Sequence, residues 1–191
     1  MPSTIRLNSG VPSNAPIALV LPGAGYTVQA PLLYWSALAL TEAGWDVWSV
    51  DWHADIRAAG RQDPARFVKD ALVQAIRELP SAPSAVIGKS VGSFALPFFL
   101  EHNVRGAWLT PILTDPRVAA AAQRASTRHL FVGGTADPLW RPEGTLPTSP
   151  NVIEVPEGNH SLEIPGAGWH RSAAAQLDVV RDIVAHLTDT R

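Results

Sequence analysis

The sequence predicts an α/β fold, in which one mostly parallel sheet carries helices on both faces and a single domain covers residues 1–191. The length indicates one domain, because 191 residues suit a single core of ordinary size. The composition, with 46% hydrophobic and 17% charged residues, is typical of a folded globule rather than of a disordered chain. The pattern alternates short apolar runs with stretches of helical spacing, as parallel strands joined by helical crossovers require.

Short apolar runs with β-branched residues, bounded by Gly and Pro, predict the buried strands Ile17–Leu21, Trp45–Val50, Ala85–Ile87, Gly106–Leu109, His129–Val132 and Val152–Val155. An edge strand is expected at Thr4–Leu7. The stretches of helical spacing predict helices at Leu32–Ala43, Pro64–Leu79, Val91–Glu101, Pro116–Ala125 and Arg171–Leu187. Pro31, Pro64 and Pro116 stand at helix starts, where a missing N–H is tolerated.

Composition and charge exclude several classes of partner and cofactor. The net charge of −2 offers no positive field for a phosphate backbone, so no nucleic acid is expected as a partner. The absence of Cys excludes disulfides, thiolate nucleophiles and Cys-ligated metals, and no His/Asp/Glu set has metal-ligand spacing, so neither metal nor cofactor is expected. Because no apolar run approaches about 20 residues and the N-terminus lacks a signal pattern, we expect no membrane span and a cytoplasmic location.

The strongest local motif is a G-x-S-x-G pattern at residues 88–92 (GKSVG), directly after the predicted strand Ala85–Ile87 and before a predicted helix. A sharp strand-to-helix turn exposes its serine above the sheet, at the edge where ligands bind in such folds. The pattern therefore predicts Ser90 as a nucleophile. The alternative is a serine that only caps the helix, flanked by glycines of a tight turn.

A serine nucleophile needs a base, and His160 lies in a polar loop directly after the last predicted strand. It is the first candidate because that loop stands at the carboxyl edge of the sheet, and His170 is the reserve. The other histidines start a strand, lie in or at the ends of helices, or follow an earlier strand: His53, His102, His129 and His186.

The base needs a carboxylate that orients it, and Asp137 follows the predicted strand His129–Val132. Its alternative role is to cap a short helix that opens at Pro138. Asp115 is the second candidate for the acid, although its place before Pro116 favours a helix cap.

Residues 21–26 (LPGAGY) follow the first core strand and offer a cradle for an oxyanion, because small residues allow close approach to a substrate. We expect the backbone N–H of Ala24, or alternatively of Gly25, to act together with that of Val91.

Four motifs in this order carry a resemblance to the α/β-hydrolase superfamily over nearly the whole chain: PGAG at 22–25, GKSVG at 88–92, GTADP at 134–138 and GNHS at 158–161. The resemblance implies a Ser–His–Asp hydrolase that acts through an acyl-enzyme. Members of the superfamily usually insert a lid where this chain has only Thr110–Ser126, so it resembles a small member without a lid.

Three positions depart from the usual pattern of the superfamily. Pro22 stands where many members carry His at the oxyanion strand. Pro97 lies inside a predicted helix, which it is expected to bend or shorten. Lys89 is interpreted either as a solvated charge or as a group that attracts an anionic substrate.

Tyr26, Trp140 and Trp169, with Leu113 and Ile164, are expected to line an apolar pocket for the acyl or alcohol group. Without a lid this pocket is expected to be shallow and to favour short acyl groups.

The function expected from these residues is hydrolysis of small carboxylic esters or thioesters. The alternative is a hydrolase-like binding or scaffold protein without activity. A dinucleotide-binding protein is disfavoured, since Val28 stands where the third glycine of the fingerprint is required.

Overall fold

A computed structural model describes residues 2–52, 55–56, 62–147 and 151–189, and His53 lies outside them. Its strands are β1 (Ser3–Arg6), β2 (Ile17–Leu21), β3 (Asp46–Asp51), β4 (Ala85–Lys89), β5 (Arg105–Leu109), β6 (His129–Gly134) and β7 (Val152–Val155). The α-helices whose two ends lie in the described residues are α1 (Pro31–Glu42), α2 (Pro64–Glu78), α3 (Leu96–Glu101), α4 (Pro116–Ala122) and α5 (Trp169–Thr188). A 3₁₀ helix covers Ser90–Ala95.

The strands form a seven-stranded sheet in the order β1-β3-β2-β4-β5-β6-β7. Among the strands of the described residues, β1 alone pairs in the antiparallel direction, with β3, and the other pairs are parallel. Because β4 lies between β2 and β5, the residues that follow these three strands meet at one edge of the sheet. The predicted fold class is confirmed.

Helices cover both faces of the sheet and produce two apolar cores. On one face, alternate strand residues such as Leu19 and Val86 pack with residues of α2, the 3₁₀ helix, α3 and α4. On the other face, their neighbours Ala18 and Ile87 pack with residues of α1 and α5. All residues of β2, β4 and β6 are buried, which explains why these strands were recognisable as continuous apolar runs.

The predicted helix Val91–Glu101 is in fact two elements, because the 3₁₀ helix gives way to α3 at Leu96. Pro97 stands in the first turn of α3, where its missing N–H costs no helical hydrogen bond. The expectation that this proline shortens the helix therefore agrees with the structure. None of the helices in the described residues is long and apolar enough to cross a membrane.

Candidate active site

The turn between β4 and the 3₁₀ helix carries Ser90 in a left-handed backbone conformation, with a φ of 52°. A residue other than glycine is uncommon there, and such strain is typical of a nucleophile held at a sharp turn. The flanking glycines are required by packing. A Cβ on Gly88 would lie 2.6 Å from the ring of Trp108, and one on Gly92 would lie 2.5 Å from the carbonyl oxygen of Leu21.

A hydrogen-bonded chain of three side chains starts at this serine. Ser90 Oγ lies 2.8 Å from His160 Nε2, and His160 Nδ1 lies 2.7 Å from Asp137 Oδ2. Since an ionised carboxylate only accepts hydrogen bonds, Nδ1 carries the proton and the neutral ring presents Nε2 as an acceptor for the Ser90 hydroxyl. This arrangement can remove a proton from the hydroxyl.

Asp137 is buried at the end of this chain, with its side chain fully out of contact with solvent. Burial raises the pKa of its carboxyl, but the hydrogen bonds from His160 and from the Leu139 N–H, together with the charge of Lys89, lower it below its usual value. The Leu139 bond to Oδ1 is 3.0 Å long. Asp137 is therefore ionised at neutral pH.

The loop after β7 brings His160 over the edge of the sheet, close to the loop after β6. A Cβ on Gly134 would clash with the carbonyl of Gly158, so only glycine permits this approach. The Ala136 N–H donates to that same carbonyl at 3.0 Å. The close passage of the two loops places the imidazole beside Asp137.

Side chains within and beyond the loop stabilise its path. Asn159 Oδ1 accepts hydrogen bonds from the N–H groups of Ser161, at 2.8 Å, and Glu163, at 3.0 Å. Gln176 Nε2, from α5, donates to the carbonyl of Ser161 at 2.9 Å. Sequence reasoning did not identify Gln176, since no local pattern connects a helix position to this loop.

The loop after β2 reaches Ser90 from the opposite side. A Cβ on Gly23 would lie 3.5 Å from Ser90 Cβ, and the Gly23 N–H closes a tight turn by donating to the Tyr26 carbonyl at 2.9 Å. Ala24 is exposed beside this turn. Val91 is the second residue of the 3₁₀ helix, where backbone N–H groups point away from the helix without intrahelical partners.

Lys89 is buried, so the interpretation as a solvated charge is wrong. Its side chain is 1% exposed. Its ammonium donates to Thr110 Oγ1 and, at 2.7 Å, to the backbone carbonyl of His160. Burial lowers its pKa to about 7, against an opposing attraction from Asp137. The sequence offered one indication of this contact. Thr110 directly follows β5, which pairs with β4, so Thr110 and Lys89 lie at the same edge of the sheet.

The aromatic residues expected to line a substrate pocket differ in their placement. Trp140 is only 4% exposed, and its ring packs flush against Gly133 while its indole N–H donates to Glu154 at 2.7 Å. Trp140 therefore belongs to the core and does not line an open pocket, because its ring packs on Gly133 of β6. Leu113 and Ile164 are also buried.

Tyr26 and Trp169 remain accessible. Tyr26 is half-buried, and its hydroxyl accepts a hydrogen bond from the Leu32 N–H at the start of α1, at 3.1 Å. Trp169, the first residue of α5, is 82% exposed. Of the expected lining residues, these two present surface to solvent.

The alternative acid and base do not join the hydrogen-bonded chain. Asp115 caps α4 by accepting from the Arg117 N–H at 2.9 Å, and it pairs with the guanidinium of the same residue. His170 is exposed, and its ring makes an edge-to-face contact with the ring of Trp169. Within the described residues, no group of three or more His, Asp or Glu side chains could hold a metal ion.

No family model matches the sequence, and no curated protein matches it. Solved structures do match. An α/β serine hydrolase homologue from Coxiella burnetii is 15% identical, with a TM-score of 0.66 over 98% of this chain and 91% of that chain. An α/β serine hydrolase without a lid from Xanthomonas campestris is 17% identical, with a TM-score of 0.62 over 100% of this chain and 90% of that chain. A dienelactone hydrolase from Anabaena variabilis is 18% identical, with a TM-score of 0.61 over 95% of both chains.

Proposed function

We propose that this chain, which has the α/β-hydrolase fold, is a serine hydrolase that cleaves small carboxylic esters or thioesters. The observation that carries the proposal is the hydrogen-bonded chain Ser90–His160–Asp137, with 2.8 Å and 2.7 Å between its polar atoms. The strained backbone at Ser90 supports it, because a φ of 52° is maintained only where the surrounding packing enforces it.

In the first half of the reaction, Ser90 Oγ attacks the carbonyl carbon of the substrate while its proton passes to His160 Nε2. Asp137 stabilises the resulting imidazolium through the Nδ1 hydrogen bond. The tetrahedral intermediate then collapses, the bond from carbon to the leaving oxygen or sulfur breaks, and the leaving group takes the proton from Nε2. The product is an acyl group on Ser90.

In the second half, water attacks the acyl carbon, and His160 Nε2 accepts a proton from that water. Collapse of the second intermediate breaks the bond between the acyl carbon and Ser90 Oγ, which takes the proton back. In both halves, the N–H groups of Ala24 and Val91 are proposed to hold the developing oxyanion. The loss of one such donor typically costs about 3 kcal/mol of transition-state stabilisation.

The exposure of the site favours a short acyl group. The side chain of His160 is 34% exposed, and Ala24 lies on the surface beside Ser90. Tyr26 is the proposed contact for the acyl or alcohol group, since Trp140 is in the core. An open site of this kind buries little of a long acyl group, so additional methylene groups of the substrate contribute little to binding.

Hydrolysis of p-nitrophenyl esters from acetate to decanoate, with acetyl thioesters in parallel, tests the proposal. We expect kcat/KM to be highest for the short esters and to vanish in Ser90→Ala. A folded wild-type protein that cleaves no member of the panel would contradict the proposed reaction. Highest kcat/KM at decanoate would contradict the proposed substrate class.

A further inference from the structure

The lysine beside the nucleophile is unusual in this chain. The sequence contains two lysines, Lys69 and Lys89. Lys69 is exposed on α2, whereas Lys89 is 1% exposed at the end of β4. Burial of an ammonium group is costly unless the group is hydrogen-bonded. The contacts of Lys89 therefore require an explanation, whereas an exposed lysine would require none.

The Lys89 side chain joins three segments of the active-site edge. Its Nζ donates to Thr110 Oγ1, directly after β5, and to the backbone carbonyl of His160, in the loop after β7. It also lies 4.9 Å from the centre of the Tyr26 ring, in the loop after β2. A single amine therefore contacts both the loop that carries the base and the loop that carries Ala24, one of the proposed oxyanion donors.

The contact with His160 differs from the other anchors of its loop. Gln176 and Asn159 bind the backbone of the residues that follow, whereas Lys89 binds the carbonyl of His160 itself. Lys89 also precedes Ser90 in the chain. The bond thus connects the backbone of the base to the residue next to the nucleophile. The proton itself passes along a separate hydrogen bond, the 2.8 Å contact between Ser90 Oγ and His160 Nε2.

The backbone around His160 needs such an anchor. Glu157 and Leu162, on either side of it, both have left-handed φ values, 59° and 58°. These conformations are strained for side-chain-bearing residues and persist only when outside contacts enforce them.

We propose that Lys89 is a positioning residue, whose hydrogen bonds to Thr110 Oγ1 and to the His160 carbonyl hold the imidazole between Ser90 and Asp137. This role rests on the proposed hydrolase function. At 1% exposure Lys89 is too deeply buried to reach a substrate, so it acts through His160. Its loss is expected to lower kcat and to leave KM unchanged.

The test compares Lys89→Met with Lys69→Met, which removes the other, exposed lysine in the same way. With p-nitrophenyl acetate, Lys89→Met is expected to lose roughly 100-fold in kcat, since a displacement of about 1 Å can cost that much. Lys69→Met is expected to match the wild type. An equal loss in both variants, or none in Lys89→Met, would overturn the proposal.

A second pair of variants tests the same proposal even if Lys89→Met does not fold. Thr110→Val removes the hydroxyl acceptor at nearly constant volume, and Thr110→Ser retains it. We expect about a tenfold loss of kcat in Thr110→Val and wild-type kcat in Thr110→Ser. Equal rates in both variants would overturn the anchoring role.

A spectroscopic measurement separates positioning from general loss of structure. The hydrogen bond to Asp137 gives the Nδ1 proton of His160 a downfield NMR resonance that depends on protection from exchange. In the wild type this resonance is expected to be sharp, and in Lys89→Met it is expected to broaden while the amide spectrum stays dispersed. An unchanged resonance in Lys89→Met would overturn the proposal.

The outcomes distinguish this role from the proposed reaction. A wild type that hydrolyses none of the esters would contradict the hydrolase function, and the positioning role would fall with it. An active wild type matched by Lys89→Met in kcat would contradict the positioning role alone.

Discussion

The turn that carries Ser90 and the loop that carries His160 hold their side chains by different physical means. At the turn, Gly88 and Gly92 let the backbone pack directly against Trp108 and against the Leu21 carbonyl. The loop also passes close to Gly134, but in addition it is held by hydrogen bonds from polar side chains, among them Gln176 and Lys89. A single added methyl group is therefore expected to disrupt the turn, because packing holds it. The loop is expected to lose its geometry gradually, as its hydrogen bonds are removed one after another.

Removal of either proposed reacting side chain, Ser90 of the turn or His160 of the loop, is expected to lower activity the most. We expect Ser90→Ala and His160→Ala each to reduce kcat by about 10⁴-fold or more, because the serine and its base act as one unit. For the same reason, the double variant is expected to lose no more than either single variant. Steady-state hydrolysis of p-nitrophenyl acetate measures this, and additive losses would indicate that the two residues work independently.

The packing of the turn is tested by Gly92→Ala. Its Cβ would lie 2.5 Å from the Leu21 carbonyl, so the strand and the turn must separate. We expect a loss of about 3 kcal/mol in the free energy of unfolding, together with most of the activity. Urea unfolding is the measurement. Gly25→Ala is the control for stability, because its Cβ would meet nothing within 4 Å, and an equal loss there would contradict the packing explanation.

The buried amine under the loop predicts a dependence of stability on pH. Burial lowers the pKa of Lys89 from 10.5 to about 7, and Asp137 opposes the shift. Of the other groups that face the amine, Tyr26 stays neutral because burial raises its pKa to about 12, and His160 presents its backbone carbonyl. Between pH 7 and 10.5 the unfolded chain therefore retains a proton that the folded chain has released, and the contribution of Lys89 to stability increases with pH.

We therefore expect the free energy of unfolding of the wild type, relative to Lys89→Met, to increase from pH 7 to pH 9. The increase is at most about 1.4 kcal/mol for each pH unit. Urea unfolding at several pH values measures it, with Lys69→Met as the comparison. A difference that is constant with pH would show that Lys89 keeps its ordinary pKa in the folded protein.

The smallest expected effect concerns one anchor of the loop. Gln176→Leu removes the hydrogen bond to the Ser161 carbonyl, and we expect about a tenfold lower kcat and a loss of about 1 kcal/mol in stability. Gln123→Leu is the matched control, since Gln123 also donates to a backbone carbonyl, that of Gly144, on the surface. Equal activity of the two variants would indicate that the remaining anchors suffice.

The same contrast explains what the sequence could predict. The strands and the turn at Ser90 were recognisable, because apolar runs and the glycine spacing are local patterns. The positions of Asp137 and His160 followed from strand order, since residues after neighbouring parallel strands meet at one edge. Each of these features is set by residues that are close in sequence or by the topology of the sheet.

The environment of individual side chains was less predictable. Lys89 was interpreted as a solvated charge or as a group that attracts an anionic substrate. It is buried, and its partners Thr110 and His160 come from segments that follow other strands. Trp140 was expected in a pocket but packs on Gly133, where the missing side chain leaves space for the ring. Both outcomes depend on tertiary contacts that leave no periodic signal in the sequence.

If the hydroxyl of Ser90 is activated by His160 and Asp137, a fluorophosphonate probe will label it covalently. Peptide mass spectrometry then locates the adduct. We predict a single adduct on Ser90 in the wild type, none in Ser90→Ala and none in His160→Ala at the same exposure time. A folded wild-type protein that stays unlabelled, or an adduct that persists in His160→Ala at the wild-type rate, would contradict activation of Ser90 by His160 and Asp137.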